Sequence, residues 1–104
     1  MLIFDIETDG LLYNVTTIHC LVIHDTETGE TTAYNDQGDA EPIVRGITYL
    51  EDCACAIGHN ILSYDLPVIS KLYPFFSYPP CVIDTLLLSR LYHPDMMDLD
   101  KRHN

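Results

Sequence analysis

The sequence predicts an α/β domain built on a mixed sheet, an antiparallel three-strand meander followed by β-α units whose helices pack on it. Three observations carry that expectation. The chain opens on a run of alternating burial, two further β-rich runs follow with a turn signal between them, and from Glu41 onward apolar residues recur at helical spacing between short apolar runs. A chain of 104 residues holds one domain, and 47% hydrophobic residues are enough for a core without staples.

Leu2–Thr8 alternates and reads as a strand ending in acids, with Asp9-Gly10 as a turn. Thr16–Asp25 is rich in β-branched and apolar residues and reads as the second strand. Thr26–Glu30 is a hairpin turn with Gly29 where positive φ is expected, and Glu30–Tyr34 pairs back as the third strand. After a polar loop, Glu41–Cys53 places Ile43, Val44, Ile47 and Leu50 on a helix face, with Pro42 tolerated in the first turn. Ala54–Gly58 reads as a short buried strand. Leu62–Leu72 reads as a second helix whose regular part starts near Asp65, because Pro67 sits in its opening turns. Cys81–Asp84 is a short strand and Thr85–Tyr92 an apolar helix. Residues 1–93 form the domain and 94–104 a polar tail. No element follows the last helix, so the plan is expected to be cut short at its C-terminus.

Net charge is −11, from 16 acids against 5 bases, which disfavours a free-standing sequence-specific DNA binder. Clustered carboxylates that hold metal ions would invert the local field; otherwise the basic surface that grips a strand belongs elsewhere. No apolar run is long enough to span a bilayer and no basic region precedes Met1–Phe4, so the expected location is cytoplasmic, the host's if the chain is phage-encoded. Cys53 and Cys55 are one residue apart and no Cys-x-x-Cys occurs, so Cys20, Cys53, Cys55 and Cys81 are expected to be buried reduced thiols in strands, with neither disulfide nor zinc.

Asp5 and Glu7 flank Ile6, and strand alternation puts both carboxylates on one face. Like charges that close call for a divalent cation, unless the strand end simply enters solvent. Gly58-His59-Asn60 closes a buried strand and Tyr64-Asp65 opens the next helix. Asp65 is either a helix N-cap or a third acid where strand ends converge. Asn60 is a turn residue or a hydrogen-bonding group for sugar or phosphate; Tyr64 is core or a stacking surface.

The run Ile3-Phe4-Asp5-Ile6-Glu7-Thr8 resembles the first motif of the DEDD proofreading exonucleases, Asp-x-Glu. Gly58 to Asp65 resembles the second, Asn-x₃-(Phe/Tyr)-Asp, and Val82 to Leu91 resembles the segment between the second and third motifs. The order of elements matches the ribonuclease-H-like plan of that family. The chain is similar, from Leu2 to about His93, to the amino-terminal exonuclease domain of family A DNA polymerases of T7-like bacteriophages.

This resemblance implies two-metal hydrolysis of phosphodiester bonds at single-stranded or frayed DNA 3′ ends. Asp5, Glu7 and Asp65 would be catalytic and would ligate two Mg²⁺ or Mn²⁺ ions, one of them incompletely. Asp84, His93 and Asp98 are further candidate ligands, with Asp84 equally suited to capping the helix it precedes. Thr8, Asn60 and Tyr64 would bind the terminal nucleotide. Implied partners are a single-stranded DNA 3′ end and a DNA polymerase subunit or a second copy of the chain, with no membrane. The chain departs from the family where the third motif should stand: no Tyr-x₃-Asp follows Asp84, and Pro94 interrupts the His-x₄-Asp spacing of His93 and Asp98. The alternative is therefore a non-catalytic, exonuclease-derived module that binds a polymerase or another partner protein.

Overall fold

The structure of the chain, a computed structural model, describes residues 1–92. Alternation in the opening run produces β1 (Leu2–Thr8), with Leu2, Phe4 and Ile6 buried and Ile3, Asp5 and Glu7 exposed. β2 (Ile18–Asp25) runs antiparallel to it. Phe4 lies opposite Ile23 and Ile6 opposite Leu21, so the apolar residues of both strands share one face. β3 (Thr31–Tyr34) returns antiparallel to β2 and completes the meander. β2 begins later than the sequence predicts because Thr16 and Thr17 are held by the carboxylate of Asp9 instead of by the ladder.

α1 (Ile43–Glu51) buries Ile43, Ile47 and Leu50, one helical stripe, against β2 and β3. It is shorter than the predicted Glu41–Cys53. Pro42 is extended at its entrance, and Asp36 rather than a neighbouring side chain caps it, accepting the Ile43 N–H at 2.9 Å. Gly46 is where the helix comes closest to the sheet: a Cβ there would stand 2.7 Å from Leu21 and 2.8 Å from the Tyr34 ring.

β4 (Cys55–Gly58) and β5 (Cys81–Asp84) add in parallel on the other side, giving the order β3-β2-β1-β4-β5. The mixed sheet, with its antiparallel meander and following β-α units, is the predicted α/β fold. β4 pairs with β1 only at Leu2 and Ile3. The half of β1 that carries Asp5 and Glu7 thus has a strand neighbour on one side alone.

The predicted second helix divides into a π-helical turn (Ile61–Asp65) and α2 (Leu66–Leu72). Asn60, in the left-handed region at φ 59°, ψ 28°, turns the chain out of β4, and the Leu66 N–H bonds back to the Ile61 carbonyl. Pro67 lacks an N–H, so the regular ladder of α2 cannot extend back through it. Gly58 permits this sharp exit, since a Cβ there would stand 2.9 Å from the Phe4 carbonyl and collide with the Ile61 side chain. α3 (Thr85–Tyr92) follows β5 directly. No helix among the described residues is long and apolar enough to cross a membrane.

The cysteines differ from expectation. Cys55 alone is buried, Cys20 and Cys53 are half-buried, Cys81 is exposed, and Cys53 precedes β4 rather than lying in a strand. Cys55 and Cys81 face each other in the β4–β5 register with Cα atoms 4.4 Å apart and are joined as a disulfide, where neither bridge nor zinc was expected. The pairing depends on the relative register of two parallel strands with a sequence separation of 26, which residue spacing does not encode.

Candidate active site

Asp5 and Glu7 stand on the exposed face of β1, opposite Val22 and Cys20 of β2, and the ladder shifts register just after Glu7. The π-helical turn packs on this strand and ends at Asp65, which is only 4% exposed. Asp65 occupies the cap position of α2, yet its side chain makes no capping bond, because the backbone groups at this junction bond within the turn itself. The capping role open to it from sequence is not the one it takes. Its Oδ2 has no hydrogen-bond partner among the described residues. Burial, and then the charge of Asp5, push the Asp65 carboxyl up to about 7; the Ile6 N–H acts in the opposite direction, and Asp84 adds a weaker upward push.

Asp84 is equally buried, at 4% exposure, and electrostatically the reverse. Burial alone would raise its carboxyl, but the N–H groups of Leu62, Asn60 and Leu86 hold it below the usual range. Oδ1 accepts from Asn60 and Leu86, each at 2.9 Å, and Oδ2 accepts from Leu62 at 3.0 Å. One carboxylate thus ties the start of the π-helical turn to the start of α3. Of the two roles that sequence left open for Asp84, the capping one is visible. His59 joins the same corner, with Nδ1 3.1 Å from the Thr85 hydroxyl.

Thr8 and Tyr64 meet. Their hydroxyls and the Gly10 carbonyl lie within hydrogen-bonding reach of one another, with Thr8 Oγ1 3.0 Å from the carbonyl, so one hydroxyl donates to the other and that one donates to Gly10. The end of β1 is thereby fastened to the π-helical turn beside Asp65. Asn60 contributes its backbone conformation and its N–H to Asp84, and its half-buried side chain caps nothing. His93 and Asp98 lie outside the described residues.

Sequence reasoning missed Asp9. Its Oδ1 accepts from the Thr16 and Thr17 N–H groups at 2.9 and 3.0 Å, and its Oδ2 accepts the Thr16 hydroxyl. These bonds, the Thr16 hydroxyl foremost, bring its carboxyl down to about 2 and pin the loop that borders Thr8 and Tyr64. An acid at a turn, followed by paired threonines before a strand, is the signal that could have found it.

Chemically, the site offers one exposed acid, Asp5, beside one buried acid with a free oxygen, Asp65. Glu7 lies two residues farther along the same strand face. Among the described residues no three His, Cys, Asp or Glu groups stand arranged to hold a metal by themselves. A hard cation that takes one or two carboxylates and completes its shell with water and phosphate oxygens fits the pair.

Comparison with known proteins agrees with the fold. A DNA-directed DNA polymerase of Escherichia phage T7 is 36% identical over 114 residues, covering 96% of this chain and 15% of that protein. One of Enterobacteria phage T3 is 36% identical over 107 residues, with the same coverage. The chain therefore spans about 15% of the length of these relatives. Among solved structures, the family B DNA polymerase of the hyperthermophilic archaeon Pyrobaculum calidifontis matches 70% of this chain and 10% of its own, with a TM-score of 0.54 at 20% identity, a likeness of fold. The family model described as RNase_H superfamily matches residues 2–103, and with five strands in the order and directions found here, the chain belongs to the ribonuclease H superfamily.

Proposed function

We propose that this domain is a divalent-metal-dependent 3′–5′ exonuclease acting on single-stranded or frayed DNA 3′ ends, working within or beside a phage replication polymerase. The observation that carries the reading is the buried Oδ2 of Asp65, without a hydrogen-bond partner among the described residues, next to Asp5. A buried carboxylate with one oxygen left without a hydrogen bond is costly, and a second acid beside it adds to that cost, which a proton or a cation would relieve. The similarity to two phage DNA polymerases supports the substrate class.

Asp5 and Asp65 would hold the ions, with Glu7 joining them from the same face of β1. Bound there, Mg²⁺ or Mn²⁺ supplies Lewis acidity at the attacking water and at the leaving 3′ oxygen. The chain's own part is to hold these carboxylates still. Asp84 fixes the π-helical turn from behind, through the N–H groups of Asn60 and Leu62. The Thr8–Tyr64 contact fixes the end of β1 in front, and these two side chains with Asn60 would flank the terminal nucleotide.

The test is release of label from 3′-labelled single-stranded DNA with Mn²⁺, Mg²⁺ or EDTA. Metal-dependent release that Asp5→Ala abolishes is expected. Release that persists in EDTA or in Asp5→Ala would overturn the mechanism. Absence of release from a folded, metal-binding chain would favour the non-catalytic module.

A further inference from the structure

β4 and β5 are fastened at both ends of their short ladder. At the start, Cys55 and Cys81 stand in register and are joined as a disulfide. At the finish, Gly58 pairs with Asp84, whose carboxylate accepts from Asn60, Leu62 and Leu86. Among the described residues β5 is an edge strand, with β4 as its sheet neighbour. The placement of Asp84 beside the π-helical turn thus depends on a ladder whose first pair is covalent. The disulfide also closes a loop. Its cysteines are 26 positions apart, and Asn60, Tyr64 and Asp65 all lie between them.

The two sulfurs differ in access. Cys81 is exposed and Cys55 is buried, at 7% exposure. A thiolate from solvent can therefore reach Cys81 with Cys55 as the leaving group, and exposed disulfides are the ones open to exchange. The chain's own free thiols are poorly suited to the attack. Cys53 precedes Cys55 by two residues, but burial pushes its thiol up, so it stays protonated at neutral pH. Cys20 lies on β2, with β1 between it and β4. The reducing equivalents have to come from another molecule.

We propose that the Cys55–Cys81 bridge is a redox switch on the candidate active site, opened by a dithiol reductant. One thiolate of the dithiol attacks Cys81 Sγ, the S–S bond breaks, and Cys55 leaves and takes up a proton. The second thiolate of the dithiol then attacks its partner sulfur in the mixed disulfide and releases Cys81. The bridge gains two electrons and two protons, and the dithiol ends as a disulfide. Reduction leaves β5 held by backbone pairing and by the Asp84 carboxylate, so the corner that fixes the π-helical turn loosens. The meaning of that loosening for cation binding rests on the role proposed above for Asp65; the exchange and the loosening do not.

The experiment compares the full chain treated with oxidised glutathione and the same chain treated with dithiothreitol, both in EDTA and without DNA, so a failure of the nuclease reading leaves it unaffected. Alkylation and intact mass should count two free thiols, Cys20 and Cys53, before reduction and four after. Reduction should lower the melting temperature by roughly 10–20 °C, the effect of opening a loop of this length in a domain of this size. Amide hydrogen exchange at Asn60, Leu62 and Leu86 should accelerate by a larger factor than in the β1–β2 ladder, where only global opening is felt. Cys81→Ser should reproduce the reduced state and lose its response to dithiothreitol, while Cys20→Ser and Cys53→Ser keep theirs. Cys81 is exposed, so its substitution keeps the test valid if Cys55→Ser fails to fold. Four free thiols after oxidised glutathione, or an undiminished response in Cys81→Ser, would overturn the bridge as the responsive group. Equal acceleration in the corner and in the β1–β2 ladder would overturn the switch and leave a structural staple.

Discussion

Metal-free protein should become more stable as the pH falls from 8 to 5, and Asp65 should be the cause. Its carboxyl stands at about 7 in the fold against an ordinary 3.8, so folding with the group ionised is penalised. A raised acid destabilises the native state fully above the folded value, and the penalty fades as pH falls toward the unfolded value. At about 1.4 kcal/mol per unit, the relief between pH 8 and pH 5 comes to about 2–3 kcal/mol. For a domain this size that is a rise of roughly 10–20 °C in melting temperature. The depressed carboxylates Asp84 and Asp25 contribute in the opposite sense, since their stabilisation is lost as pH falls through their folded values. Those values lie below 3.8, outside this window. Thermal melts in EDTA at pH 5, 6.5 and 8 provide the assay, with Asp65→Asn beside the unmodified chain. The variant should be flatter across this range and more stable at pH 8. A melting temperature that is flat or falls toward pH 5, or an Asp65→Asn slope equal to the original, would refute the reasoning.

Mn²⁺ at a hundredfold excess over Kd should add about 2.7 kcal/mol of stability at pH 8, seen as a higher melting temperature, and Mg²⁺ at the same concentration should add less, with NaCl of equal ionic strength lacking that effect; identical responses to Mn²⁺ and NaCl in melts would mean that Asp5 and Asp65 form no site. Asp84→Ala should cost about 2–4 kcal/mol in urea unfolding, because three backbone N–H groups lose their acceptor; a change within experimental error would remove Asp84 from its supporting role. Asp5→Ala should leave stability unchanged or raised while abolishing nuclease activity, so a large loss of stability measured in the same urea series would contradict the exposed placement of Asp5. Gly58→Ala should destabilise by more than about 1 kcal/mol through collision with the Phe4 carbonyl and Ile61, and unfolding curves matching the original would show that this corner yields.

Alternation made β1 legible, since the same period that buries Leu2, Phe4 and Ile6 exposes Asp5 and Glu7. The spacing of Ile43, Ile47 and Leu50 did the same for α1. What stayed hidden depends on contacts between residues distant in sequence. The helix expected from Leu62 is a π-helical turn followed by α2 because a left-handed Asn60 feeds it and Asp84, 24 residues away, accepts its first N–H groups. The Cys55–Cys81 pairing likewise follows from strand register. Local pattern predicted the motifs' positions along the chain, and only tertiary structure could separate the acid that holds the corner from the acid left free in it.

That separation bears on which carboxylate does chemistry. Asp65 and Asp84 are both 4% exposed, and each sits where a strand or turn enters a helix, so burial and position do not distinguish them. Hydrogen bonding does. Asp84 has two oxygens engaged by three N–H groups, and its negative charge is stable without help. Asp65 has one oxygen with no partner among the described residues and a neighbouring acid in Asp5. Environments that push two like groups in opposite directions assign them different work. The satisfied acid is already engaged by backbone N–H groups, and the unsatisfied one has both a free oxygen and the electrostatic need for a cation. On the function proposed above, an acidic chain of net charge −11 would approach a polyanion at this point, where cations held by Asp5 and Asp65 would reverse the sign of the field.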